Sequence, residues 1–151
     1  MHYNFAEDLK TSDKIEVNVI KKLQEAYKDF KFHSFSGTKG FDCIFSMGEK
    51  TYSLEIKADF FAVNTGNMVV EYESWGKPAG IVTTKANFIA YAMMRSIDDF
   101  DLYLINTEKQ RKMIADELYF DTMVGGDIGS NTRLYRFKMD LFKEYATEVK
   151  V

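Results

Sequence analysis

The sequence predicts a single mixed α/β domain built on a central β-sheet flanked by helices, and three observations carry that prediction. Residues Phe41 to Lys57 read as a β-hairpin whose strands alternate apolar and polar side chains. A helical stripe spaced by three and four residues precedes the hairpin between Asp13 and Asp29. Further strand-like runs, interrupted by two more helical segments, continue to the C-terminus. At 151 residues with 46% hydrophobic and 15% aromatic content, the chain can bury one sizeable core and is too short for two comfortable domains. Residues 1–151 are therefore read as one domain.

In chain order, residues 1–11 form a lead-in. A helix starts near Asp13, with Glu16 three residues later in a capping-box-like pattern, and runs to about Asp29. Its apolar stripe is Ile20, Leu23, Tyr27 and Phe30. Carried back four residues, the stripe reaches Glu16, which either caps its own helix or stands at the N-terminal end of the core-facing side. Phe30 to Phe35 reads as a strand carrying His33, and Ser36-Gly37-Thr38-Lys39-Gly40 as a turn.

The hairpin is the informative stretch. Gly48-Glu49 is the expected two-residue turn, because glycine suits its first position. Counting outward pairs Ser46 with Thr51, Ile44 with Ser53 and Asp42 with Glu55, which sets two carboxylates roughly 5 Å apart at Cβ. One face gathers Phe41, Cys43, Phe45, Tyr52, Leu54 and Ile56 and must be buried. The other gathers Asp42, Ser46, Thr51, Ser53, Glu55 and Lys57, with Ile44 its only aliphatic member. Like charges directly opposed on a sheet cost about 0.2–1 kcal/mol. Folding alone gives no reason to set Asp42 across from Glu55, whereas a divalent cation would supply one.

A helix carrying a glutamate, a strand, then a hairpin with Asp on its first strand and Glu-x-Lys on its second resembles the PD-(D/E)xK nuclease superfamily, which includes restriction endonucleases and Holliday junction resolvases. The likeness covers residues 13–57, with Phe41 where the motif name has Pro. It implies a restriction-endonuclease-like core and a metal-dependent endonuclease acting on DNA phosphodiester bonds. Asp42, Glu55 and the Ile56 carbonyl would be ligands of Mg²⁺ or Mn²⁺, Lys57 the cationic catalytic residue, and Glu16 the additional helix carboxylate at the metal. A homodimer is implied by analogy with resolvases and restriction enzymes. The alternative is a catalytically silent module of the same fold that binds nucleic acid or protein.

Past the hairpin, Ala58 to Gly66 is expected as a connection and Asn67 to Glu73 as a strand with Glu71 and Glu73 on one face. Ser74 to Gly80 is a loop holding the only Trp and the only Pro, with Trp75 read more readily as a core anchor than as a base-stacking platform. Ile81 to Lys85 leads into a strand over Ala86 to Met94. The stretch Glu71 to Tyr91, with Gly80-Ile81 and Thr84-Lys85-Ala86 before that strand, resembles phage-encoded members of the superfamily. Leu102 to Asn106 is a further strand, and Thr107 is positioned to cap a helix from Glu108 to Leu118, where Lys109, Arg111 and Lys112 read more readily as a solvated face than as a phosphate-facing strip. Asp121 to Asn131 reads as a flexible glycine-rich loop, followed by a strand at Arg133 to Phe137 and a helix at Asp140 to Ala146.

Several function classes are excluded or disfavoured. Cys43 is the only cysteine, so no internal disulfide forms, and it reads as a buried packing thiol. No run approaches the roughly 18 apolar residues of a membrane span, and the N-terminus lacks the basic and apolar regions of a secretion signal. A cytoplasmic protein is expected. Two histidines, His2 and His33, are too few for a His-rich zinc site, and the glycine-rich segment lacks the Gly-Lys-Ser/Thr ending of a phosphate-binding loop. A net charge of −3 rules out sheer basicity as the basis of DNA binding.

Overall fold

The computed structural model describes residues 11–37 and 40–151. The expected lead-in, His2, and the turn residues Thr38 and Lys39 lie outside the described residues, although Thr11 already belongs to a helix. The elements run α1 (Thr11–Ala26), β1 (Phe30–Phe35), β2 (Cys43–Met47), β3 (Lys50–Asp59), α2 (Ala62–Thr65), β4 (Asn67–Ser74), β5 (Lys77–Pro78), a 3₁₀ turn (Gly80–Val82), β6 (Phe88–Met94), β7 (Phe100–Asn106), α3 (Thr107–Ala115), β8 (Asp121–Gly125), β9 (Thr132–Lys138), α4 (Met139–Tyr145) and β10 (Thr147–Val149). They build a mixed six-stranded sheet in the order β1-β2-β3-β6-β7-β10 and an antiparallel four-stranded sheet in the order β5-β4-β9-β8. Within the larger sheet only β3 and β6 run parallel.

Two apolar clusters lie on opposite sides of the large sheet, because alternate residues of a strand face opposite ways. On one side Ala90, Ala92, Leu54 and Ile56 pack under α1 with Phe30, Phe32, Cys43 and Phe45. On the other, Ile89, Tyr91 and Met93 meet Met68, Val70, Phe137 and Phe142 from β4, β9 and α4. Burial of each large apolar side chain contributes about 1.5–3 kcal/mol, so the edge-to-centre alternation of β6 welds the two layers together.

The α1 stripe is centred slightly away from the expected line. Ile15, Val19 and Leu23 are its most deeply embedded row, with Ile20 beside them, while Tyr27 is half-buried. Glu16 consequently flanks the stripe and is itself half-buried.

Four expectations are corrected here. β3 continues through Asp59 and is followed by α2, where a plain connection from Ala58 was expected. Asp59 is buried and accepts the Phe61 and Ala62 N–H groups at 2.9 Å each, which ends the strand in a fixed corner. The stretch expected as a flexible loop from Asp121 begins with β8, whose residues pair with β9 from Asp121↔Arg136 to Gly125↔Thr132. Asn106, not Thr107, caps α3, accepting the Glu108 and Lys109 N–H groups through its side-chain oxygen. Trp75 is 66% exposed and stands at φ +54° in the turn after β4, so it anchors no core.

The crossover from β3 to β6 passes through β4, β5 and the 3₁₀ turn, and it lays part of the second sheet over the end of β3. Gly80 makes this possible. Its φ is +55°, and a Cβ there would meet the Glu71 carbonyl oxygen at 2.2 Å, so only glycine fits.

Candidate active site

At the hinge between α1, the start of β2 and the middle of β3, the structure brings together four of the side chains singled out from the sequence. The hairpin register holds from Met47↔Lys50 to Cys43↔Leu54, including Ser46↔Thr51 and Ile44↔Ser53. It breaks at Asp42. The Asp42 N–H bonds to the Leu54 carbonyl at 2.8 Å, and its carboxylate turns to accept the Ile56 N–H at 2.6 Å. Asp42 therefore does not stand as a ladder partner of Glu55; it caps β3 where β2 has ended.

That cap has a consequence for Ile56. In an extended strand the N–H and C=O of one residue project to the same side. The Ser53 carbonyl points toward β6, where it accepts the Asn87 N–H, and the Leu54 carbonyl points toward β2. Two residues on from Leu54, the Ile56 carbonyl thus projects beside the Asp42 carboxylate into the space β2 has vacated.

Glu55 and Lys57 lie on the opposite face from Leu54 and Ile56. Glu55 Oε2 accepts the Thr84 hydroxyl at 2.6 Å, and Lys57 Nζ lies 3.8 Å from Glu55 Oε1 with its side chain 42% exposed. Thr84 is buried and held in turn from α3, since Arg111 donates to the Thr84 carbonyl at 2.8 Å and to the Ile81 carbonyl at 3.0 Å. Sequence reasoning placed Thr84 in a recognisable triplet but gave it no role, because its partner lies 29 positions away. Arg111 is spent on this brace and on Glu108, Lys112 pairs with Asp116, and Lys109 sits over the Tyr145 ring. Of that candidate phosphate-facing strip on α3, Arg111 is committed to this brace, while Lys109 and Lys112 stay exposed.

The carboxylates feel one another. Burial, then the negative charges of Asp42, Asp13 and Glu55, push the Glu16 carboxyl up to about 7. Asp42 is also raised, by burial and by Glu55, although the Ile56 N–H and the Lys57 ammonium oppose the shift. Burial pushes the Cys43 thiol up to about 12, so it stays a protonated packing group.

This electrostatic strain has a measurable sign. A carboxyl raised in the fold above its unfolded value of 4.5 binds more protons when folded, so stability falls as pH climbs from about 4.5 to about 7. After discounting for partial exposure, the loss through Glu16 is on the order of 1–2 kcal/mol. Glu16→Gln should therefore melt higher than the parent protein at pH values above 7 and alike near the lower end of that window. A simple helix cap would instead lose up to about 1 kcal/mol at all pH values, and melting curves of both proteins across the range distinguish the two.

Among the described residues, no three His, Cys, Asp or Glu side chains are gathered as a ready-made metal cage. Mg²⁺ does not require one, since it keeps several waters and is usually bound through one or two carboxylates with substrate oxygens completing the shell. Asp42, Glu55 and the Ile56 carbonyl are hard oxygen donors of that kind, and the Glu16 and Asp42 carboxyls are raised by burial first and by neighbouring carboxylates behind it.

Beyond Glu55 and Lys57 the site opens into a cleft of about 230 Å³ between β3, β4 and the 3₁₀ turn, with Glu71 in its lining. No protein-family model, no curated protein and no solved structure matches the chain. No helix among the described residues is long and apolar enough to cross a membrane.

Proposed function

We propose that the chain is a divalent-metal-dependent nuclease of the PD-(D/E)xK kind, with a restriction-endonuclease-like core, that hydrolyses DNA phosphodiester bonds. The observation that carries this reading is the corner at which the Asp42 carboxylate and the Ile56 main chain meet, with Glu55 and Lys57 on the same strand and a proton-retaining Glu16 close by. Its support from the fold is the succession of α1, β1 and the β2–β3 hairpin, the order that the superfamily resemblance implies.

Hydrolysis of a phosphodiester needs neutralisation of the phosphate, a deprotonated water and a stabilised leaving oxygen. A Mg²⁺ or Mn²⁺ ion held by Asp42, Glu55 and the Ile56 carbonyl would supply charge neutralisation and a more acidic bound water. Lys57 faces the negative charge that builds on the phosphate, acting as a preorganised cation. Its ion pair with Glu55 holds it ready rather than consuming it, because at 3.8 Å and with considerable exposure the pair is loose. Glu16, with its carboxyl at about 7, can exchange a proton with water at neutral pH. Thr84 positions Glu55 by fixing Oε2 and leaving Oε1 toward Lys57.

The test is incubation of linear, supercoiled, branched and single-stranded DNA with Mg²⁺, with a chelator control and analysis of product ends. Chelator-sensitive cleavage of at least one substrate is expected. Binding of DNA without cleavage under any divalent metal would replace the enzyme reading with a catalytically silent module.

A further inference from the structure

The cleft beside Lys57 does not follow from the phosphodiesterase reading, and its shape bears on the substrate. Val69, Ile81, Ile89 and Leu134 give it apolar walls, while Glu55, Glu71 and Thr84 add polar groups. At about 230 Å³ it falls below the roughly 300–1,000 Å³ of sites that enclose a drug-sized molecule. A duplex is far too wide to enter it, whereas one planar ring with hydrogen-bonding edges fits its size and mixed lining. Glu71 makes no side-chain hydrogen bond or ion pair among the described residues, so its carboxylate is free to accept a bond from an incoming amino or imino group.

A second feature adjoins the first. Immediately beyond the cleft-lining Ala58 and Asp59, the chain presents Phe60 at 49% and Phe61 at 74% exposure. The backbone that carries them is pinned. Asp59 accepts the Phe61 and Ala62 N–H groups and the Val69 N–H at 3.4 Å, which clamps the corner against β4. Exposed phenylalanines on a pinned backbone corner, next in sequence to a ring-sized cleft, have the form of a wedge that enters a base stack and a receptacle for the base displaced from it.

We propose that the cleft receives a single unstacked nucleobase, with Phe60 and Phe61 taking its place in the stack. The substrate class is then DNA with an unpaired or readily extruded nucleotide next to the scissile bond. This rests on the phosphodiesterase reading for the chemistry but not for the binding. Lys57 lines the cleft together with Glu55, so a base seated there brings its own backbone phosphate to the ammonium.

The experiment uses the full chain and two duplexes of one sequence, one fully paired and one with a single bulged 2-aminopurine. Fluorescence of the 2-aminopurine is followed on binding in Ca²⁺, and cleavage is followed separately in Mg²⁺. At least tenfold faster cleavage of the bulged duplex is expected, with a 2-aminopurine signal that changes on binding. Leu134→Trp, which fills the cleft, should abolish both the preference and the signal. Phe61→Ala should reduce the preference without touching the fold, since that ring is mostly exposed. Equal cleavage of the two duplexes with no change in signal overturns the inference and leaves the phosphodiesterase reading standing. A signal with no cleavage of any DNA supports the base-binding cleft and overturns the phosphodiesterase reading, and the absence of both overturns both.

Discussion

Replacing Lys57 by alanine should lower the rate of metal-dependent cleavage by about 10²–10³-fold while leaving the melting temperature within a degree or two of the parent, as expected for removal of one preorganised charge-stabilising group. Both halves of this expectation follow from the position of the side chain. Its side chain is 42% exposed and its ion pair to Glu55 spans 3.8 Å, a pair of the kind that contributes about 0–1 kcal/mol to folding. The same exposure leaves the ammonium accessible from solvent. Lys57→Arg should recover only part of the rate, because a planar guanidinium cannot reproduce a compact ammonium at the same point. Turnover near the parent level in Lys57→Ala would remove Lys57 from the mechanism.

The second large effect is expected at Asp42, and two substitutions separate its duties. Asp42→Asn keeps an oxygen able to accept the Ile56 N–H but removes the charge. Cleavage should fall by about 10²-fold or more, comparable to losing another preorganised electrostatic group. The metal-free protein should become no less stable, because burial and Glu55 already raise the Asp42 carboxyl and its negative charge raises Glu16. Asp42→Ala also strands the Ile56 N–H at the end of the ladder, at a cost of about 1–3 kcal/mol. A melting comparison of the two variants, with and without Mg²⁺, checks this. A fall in stability shared equally by both would mean that Asp42 serves the fold alone.

The parts of the molecule legible in the sequence are those fixed by local pattern. The β1 limits, the hairpin register from Met47 to Cys43 and the burial of Cys43, Phe45, Leu54 and Ile56 follow from alternation and one glycine turn. The bend at Asp42 was not legible, since it depends on where β2 ends and on a side chain taking over a backbone partner. Nor was the second sheet: β4 pairs with β9 across a long stretch of intervening chain, from Asn67↔Lys138 to Glu73↔Arg133, and no local signal encodes that partner. In the stretch after Asp121, the glycines at 125, 126 and 129 outweighed Thr122-Met123-Val124, which form a strand only because β9 lies alongside. Within the candidate site, hairpin register and helical spacing draw attention to Glu16, Asp42, Glu55 and Lys57, and the superfamily resemblance supplies the roles expected of them. Thr84, Asp59 and the exposed Phe60–Phe61 corner could not be named in that way, because each acquires its role from contacts made after folding.

A divalent cation held at the Asp42–Ile56–Glu55 corner is what the proposed nuclease activity requires. Binding of Mn²⁺ to the metal-free protein near neutral pH, followed by electron paramagnetic resonance beside the Asp42→Asn variant, tests it most directly. Saturable binding that Mg²⁺ displaces, and that the variant loses, is the predicted result; weak unsaturable binding, or identical isotherms for the two proteins, would contradict it.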